Sequence, residues 1–204
     1  AESDGKRNKR NNNLKNILGI GTAGSNVAKQ LGQHKYYREY TISTENDKTT
    51  KYNFALDKFE HPEKYEQMDI SPVDNFLRNI KKSVTIFLCG ANLSTGITLK
   101  VLETLHRRSV EIDVVYLKPE TEVLSEIKVL HERVCMNVLQ QYARSGLLNQ
   151  ITLISNEILE TKAGPTNVFE YFDKINQVFT NTYYMMDIFK NTKPVTSTFS
   201  GVRE

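Results

Sequence analysis

The sequence predicts an α/β domain with a mainly parallel sheet and helices on both faces. Three observations carry this expectation. From residue 14 onward, short apolar runs alternate with longer segments of helical spacing. The run SVTIFLCG at 83–90 is apolar almost throughout, as in a strand covered on both faces. A glycine cluster separates the first apolar run from the first helical segment.

The elements follow in order. LKNILGI at 14–20 reads as a short apolar strand. A turn at 21–24 leads into a helix whose buried side is Val27, Ala28 and Leu31. YREYTIST at 37–44 alternates as a strand, and residues 45–65 are polar and irregular. SPVDNFLRNIKK opens with Ser71 as the expected N-cap and Pro72 at the first helical position, with Phe76, Leu77 and Ile80 as its stripe. After the 83–90 strand, residues 95–108 are helical and VEIDVVYL at 110–117 is another buried strand. A long helix after Pro119 presents Val123, Leu124, Ile127, Leu130, Val134, Val138 and Leu139 on one face and stops near Gly146. QITLIS at 150–155 is the last strand, and 167–190 reads as one helix of roughly 36 Å. Right-handed crossovers place all strand C-termini on one edge, where ligands bind. The loops to inspect are therefore 20–26, 44–48, 90–98, 117–122 and 155–160.

Composition narrows the function classes. At 204 residues with 39% hydrophobic content, one well-buried domain is accessible. A mean hydropathy of −0.48 describes a polar surface. No apolar run reaches the ~18 residues a membrane span needs, and the N-terminus has no apolar signal region. Ala1 is compatible with removal of an initiator Met. Two cysteines, Cys89 and Cys135, fall in core segments and form no disulfide framework, so a reducing cytoplasm is expected. The net charge of +3 is too small to indicate nucleic acid alone. Residues 1–13 nevertheless group Lys6, Arg7, Lys9 and Arg10 without apolar partners, which predicts a disordered basic arm. That arm is either a solvated tail or a contact for nucleic acid or an acidic protein. The Asn- and Lys-rich, Trp-free composition fits an A·T-rich genome and hence a bacterial or phage source, in an infected cell or virion.

The segment from Gly19 to Gly24 matches GxGxxG between strand and helix. Glycines there permit a tight turn and close backbone approach to phosphate, and the helix N-terminus supplies free N–H groups. Glu45 lies 21 residues beyond Gly24, where a dinucleotide fold holds its ribose-binding acid. A Rossmann NAD-dependent oxidoreductase is one reading. A second candidate phosphate loop, GANLSTGIT at 90–98, suits a nucleoside triphosphate better.

Six pieces then resemble the tubulin/FtsZ superfamily over residues 14–204. ILGIGTAGSNVAKQL resembles the family's first loop, with Gly21, Ala23, Gly24 and Asn26 in matching positions and Thr22 and Ser25 replacing glycines. FLCGANLSTGITLKVLETL resembles the strand, glycine-rich signature and helix, with Ser94, Thr95 and Gly96 at its core. VVYLKPETE, LLNQITLISNEIL with Asn156, YFDKINQVF and TSTFSGVRE resemble the later strands, central helix and final loop. His61-Pro62-Glu63 echoes the third loop. The resemblance implies a nucleotide-binding domain at 14–204, GTP or GDP as ligand with Mg²⁺ as companion, and self-association. It implies phosphate contacts from Gly21, Thr22, Ala23, Gly24, Asn26, Ser94, Thr95 and Gly96. Phe172 would stack on the base and Asn176 would read its edge. An amide can accept from guanine N1–H and N2–H₂ and donate to O6, and stacking contributes ~1–3 kcal/mol per base.

Several positions depart from the family pattern. Gln177 stands where the family has a second base-reading acid. The second loop lacks most of the family's glycines, and side chains on Asn92, Leu93 and Ile97 would crowd a triphosphate cradled by backbone. Aligned on Phe199, Val202 and Arg203, the acids of the final loop fall on Thr198 and Gly201, which cannot act as bases. Glu204 is out of register. No catalytic residue is therefore expected, and hydrolysis is expected to be weak or lost. The family's second domain is expected to be absent, leaving apolar residues of 167–190 for a self or foreign partner. The alternative is a structural pseudo-GTPase serving as a scaffold in a larger assembly, a phage assembly included. His34, His61, His106 and His131 show no metal-ligand spacing, and there is no GxSxG or Walker A loop. Glu120, Glu122 and Glu126 favour a helix N-terminus rather than a metal site.

Overall fold

A computed structural model of the chain describes residues 14–91, 96–155, 159, 162–164 and 170–191, excepting the side chains of residues 62, 123, 171 and 172. The basic arm, Ser94, Thr95, Asn156, the final loop and the Phe172 side chain lie outside the described residues.

Six strands form one parallel sheet in the order β3-β2-β1-β4-β5-β6. They are β1 (Lys15–Ile20), β2 (Tyr37–Ser43), β3 (Asn53–Ala55), β4 (Ser83–Leu88), β5 (Glu111–Lys118) and β6 (Gln150–Ser155). The helices are α1 (Gly21–Gly32), α2 (Pro62–Gln67), α3 (Ser71–Leu77), α4 (Thr98–Arg107), α5 (Glu126–Arg144) and α6 (Tyr171–Asn191). The chain winds outward from β1 to β3, returns to β4 beside β1, then winds the other way. The strand order therefore reverses between β1 and β4.

Period-two alternation divides the core. Leu18, Ile20, Ile86, Leu88, Val114 and Tyr116 point to the face covered by α3, α4 and α5. Ile17, Phe87, Val115 and Leu117 point to the opposite face, covered by α1 and α6. The central strands are buried on both sides, which explains their continuous apolar sequence.

Three local expectations are corrected. The 45–65 stretch contains the short strand β3 and helix α2. Their apolar content, Phe54 and Tyr65, is too sparse to set a period. Ser71 is the first residue of α3 rather than its cap. Asp69 takes the capping part, its carboxylate accepting from the Ser71 N–H at 3.0 Å and the Ser71 hydroxyl at 2.8 Å. The stripe expected to bury α5 is largely solvent-facing: Ile127, Leu130 and Val134 are exposed. Of the expected stripe Leu139 is buried; the helix otherwise buries Glu132 and packs Cys135, Met136 and Tyr142 against the core. Two apolar stripes run along α5, and periodicity does not say which one meets the sheet.

Helix α6 lies along α1. Ile175 and Phe179 enter the core with Val27, Ala28 and Leu31. Its far side carries exposed Met185, Met186 and Phe189, the last 80% exposed, in line with the expected excess of apolar surface. At its C-terminal end, buried Asp187 pairs with Lys15 and accepts from the Tyr37 hydroxyl at 2.8 Å. This network ties α6 to the N-terminal ends of β1 and β2. Burial draws the Lys15 ammonium down, but the Asp187 hydrogen bond and neighbouring charges outweigh it, and the net shift is upward. Asp187→Ala should cost about 3 kcal/mol of unfolding free energy in urea titration, because it strands the ammonium and phenol. A change below about 0.5 kcal/mol would show that the network does not anchor the helix.

Candidate functional site

All strands end on one edge, and their register sets the heights of the loops. Ile20 pairs with Leu88 and with Ile42, and Leu88 pairs with Tyr116. The loops after β1 and β4 therefore leave adjacent strands at one level, at the point where strand order reverses. A crevice opens at such a switch point in doubly wound folds.

Each glycine of the first loop has its own task. Gly21 adopts φ +74°, in the left-handed region that favours glycine. A Cβ on Gly24 would overlap the Phe87 carbonyl oxygen of β4. A Cβ on Gly19 would overlap the Gly24 carbonyl. Gly19 and Gly24 thus let α1 press onto β1 and β4, while Gly21 makes the turn. Ile20 precedes α1 in extended conformation and gives no side-chain cap, and the first turn carries no acid. Its N–H groups and positive dipole end therefore meet no side-chain cap. Thr22 is exposed and Ala23 and Asn26 are half-buried on the same turns.

The second loop begins at Cys89. A Cβ on Gly90 would overlap the Tyr116 hydroxyl. That hydroxyl donates to buried Glu132 Oε1 at 3.1 Å. The Tyr116 phenol sits far above its ordinary value because of burial, then the nearby Cys135, Glu132 and Cys89. Burial, Cys89 and Glu132 push the Cys135 thiol up to about 12, and burial also raises Cys89. Neither thiol is a nucleophile near neutral pH, in keeping with their expected place in the core. Gly96 leads into α4, which also lacks a side-chain cap and first-turn acid. Among the described residues, no side-chain cap is made at either of the two helix N-termini that face this edge. The Tyr116–Glu132 pair beneath Gly90 escapes sequence reasoning, since Glu132 reads as one more polar residue of a charged helix.

The contacts between α6 and α1 locate Asn176. The Thr180 hydroxyl donates to Gln30 Oε1 at 2.9 Å. One turn on, the Tyr184 ring stacks on His34 at 3.8 Å. The helices thus run in the same direction with a fixed offset of 150 residues. One turn back, about 6 Å, Asn176 comes level with Asn26, and residue 172 comes level with Thr22 a turn further. Asn176 is half-buried, and its neighbour Gln177 is exposed. The structure therefore brings Gly21, Thr22, Ala23, Gly24 and Asn26 to one end of the molecule with Gly96, Asn176 and the backbone of residue 172.

Glu45 follows β2, whose end pairs with the end of β1. It is exposed beyond β2, on the other side of β1 from β4, and its N–H donates to Ser43 Oγ at 3.2 Å. Among the described residues no cluster of three or more His, Cys, Asp or Glu side chains could hold a metal ion. No described helix is long and apolar enough to cross a membrane. An anionic, phosphate-bearing ligand fits the donors present: two uncapped helix ends, a glycine turn and no acid in either first turn.

The architecture is a doubly wound parallel α/β protein with its candidate site at the switch point. Among solved structures, it is similar to FtsZ of M. jannaschii, solved as an empty dimer, with TM-score 0.69 and 14% identity over 98% of this chain and 62% of that one. CetZ2 from Haloferax volcanii, a GTPγS-bound protofilament, matches with TM-score 0.62 and 14% identity over 85% and 58%. CetZ1 from the same organism, a GDP-bound monomer, matches with TM-score 0.69 and 13% identity over 85% and 60%. The fold is that of these FtsZ and CetZ structures, of which the chain spans about three fifths. No protein-family model matches the sequence, and no curated protein sequence does either.

The tyrosines give this core an alkaline limit. Burial, foremost, raises the Tyr37 and Tyr116 phenols above the ordinary 10.0. The folded state keeps protons that the unfolded chain releases near pH 10, so their contribution is full below about pH 10 and is lost above it. Urea unfolding should show stability falling from about pH 10 upward, with a shallower fall in Tyr116→Phe. A flat profile to about pH 11 would contradict this burial.

Proposed function

We propose that the chain is a tubulin/FtsZ-like assembly protein that binds GTP or GDP at the switch-point edge and hydrolyses it weakly or not at all. The observation that carries this reading is the convergence of the uncapped α1 N-terminus, the second loop at Gly96 and Asn176 at one end of the fold. Gly21, Thr22, Ala23, Gly24, Asn26 and Gly96 would surround the phosphates, together with Ser94 and Thr95. Asn176 would bond the base edge and Phe172 would stack on it. Mg²⁺ would supply charge neutralisation for a triphosphate; the chain's own part is to orient the phosphates with backbone N–H groups.

Assembly is supported by similarity to proteins solved as a dimer and as a protofilament. The exposed apolar side of α6 offers a contact surface. Weak hydrolysis is supported by sequence, since Thr198 and Gly201 stand where the resemblance places acids. Without a carboxylate to polarise water, turnover should fall by ~10²–10⁴-fold relative to an intact site.

Titration calorimetry with GTP, GDP, ATP and NAD, each with Mg²⁺, tests the reading. The expected result is micromolar binding of a guanine nucleotide, weakened about tenfold or more by Asn176→Ala, with phosphate release close to the uncatalysed rate. Binding of NAD alone would replace this reading with the oxidoreductase built on Glu45. Binding of none of the four would leave the scaffold reading in its place.

A further inference from the structure

We propose that the end of the molecule opposite the candidate site binds nucleic acid through its phosphates, with residues 1–13 as part of the contact. The register puts the strand starts on one line. Lys15 pairs with Tyr37, Ile17 with Thr85 and Ser83 with Glu111, so β1, β2, β4 and β5 begin at the same height. The segments leading into β2, β4, β5 and β6 are 33–36, 78–82, 107–110 and 144–149. They contain no Asp or Glu. They expose Lys35, Lys81, Lys82, Arg107 and Arg144, and Lys190 joins them from the last turn of α6.

The whole chain holds 27 Lys and Arg against 24 Asp and Glu, so a single sign here comes from placement and not from composition. Nearby acids are taken up within the frame, Asp187 by Lys15 and Asp74 by Arg108. Toward the other end the signs mix, as with Glu63, Lys64 and Glu66 on α2. Helix C-termini favour cations by themselves, which accounts for Arg107, Arg144 and Lys190. It does not account for Lys35, Lys81 and Lys82, which lie beyond the ends of α1 and α3. Lys82 also has φ +68°, where glycine would be the unstrained choice.

The spread of the charges describes the partner. Strands ~4.8 Å apart put β2 and β6 about 19 Å apart, a length over which duplex DNA carries about eleven phosphates. A small anion would meet only one or two of these side chains. An acidic protein needs an apolar centre to its interface, and none is on offer in the four segments, where Ile80, Val110 and Leu148 are buried. The arm joins the same end, since β1 starts at Lys15. It adds Lys6, Arg7, Lys9 and Arg10, interspersed with asparagines and without an apolar residue beyond Ala1. These are side chains that bond phosphate and sugar.

Fluorescence anisotropy of a labelled DNA duplex of about 30 base pairs tests this on the full chain, in about 50 mM and about 200 mM salt. Micromolar binding is expected at the lower salt and about a hundredfold weaker binding at the higher. Phosphatidylserine vesicles and polyglutamate should bind more weakly than the duplex. The quadruple variant Lys81→Gln, Lys82→Gly, Arg107→Gln, Arg144→Gln should weaken duplex binding at least about tenfold and flatten its salt dependence. The arm variant Lys6→Gln, Arg7→Gln, Lys9→Gln, Arg10→Gln leaves every described residue intact and should weaken binding about tenfold as well. An equal loss of charge toward the other edge, Lys48→Gln, Lys58→Gln, Lys64→Gln, Lys128→Gln, should leave binding within about twofold. The proposal is overturned if the duplex does not bind at the lower salt, or binds with the same affinity at both. It also fails if vesicles or polyglutamate bind more tightly than the duplex, or if the arm variant and the folded Lys81 quadruple variant lose no more than the variant at the other edge.

Discussion

The closeness of α1 to the backbone of β1 and β4 governs the rest of the architecture. Gly24 sits where any side chain would strike the Phe87 carbonyl, and Gly19 where one would strike Gly24 itself. With a Cβ atom at either place, α1 would lift away from the sheet and its N-terminus would leave the gap between the strands. The position of α6 follows from that of α1, because Ile175 and Phe179 pack against Val27, Ala28 and Leu31. The placement of Asn176 at the candidate-site edge is thus inherited from two glycines on other elements.

The two ends of the sheet have opposite character. At the N-terminal end, Lys15, Tyr37 and Asp187 satisfy one another in a half-buried network that fixes α6 to the strands. At the C-terminal end, α1 and α4 begin without side-chain caps from Ile20 and Ile97. Closed polar networks hold the frame, whereas uncompensated donors remain where a ligand would compensate them. Tyr116 and Glu132 do for the second loop what Gly24 does for the first. They fill the space beside Gly90, and so fix where that loop starts.

Much of this order was legible in the sequence, for identifiable reasons. The strands of the sheet centre were legible because burial on both faces leaves almost no freedom for polar residues. The glycine at the strand-to-helix junction was legible because few other residues accept its φ, but the turn expected over 21–24 is already the first turn of α1. The orientation of α5 was not legible. Its stripe through Ile127, Leu130 and Val134 is as regular as the one it buries, and only tertiary packing chooses between them. Nor was the partnership of Glu132 with Tyr116, since sixteen residues and a change of element separate them. The candidate site was half legible: its glycines follow a local pattern, but the height of Asn176 depends on a helix pairing that no local pattern encodes.

In the proposed complex one nucleotide spans the ends of α1 and α4 and reaches Asn176 on α6. Backbone amide chemical-shift mapping of the isotope-labelled chain during GDP addition tests this most directly. Concerted shifts are expected at Gly21, Thr22, Ala23, Gly24, Asn26, Gly96 and Asn176, with Glu45 and the Met185–Phe189 side of α6 unmoved. Shifts centred on Glu45 without Asn176, or a spectrum unchanged by saturating GDP, would contradict it.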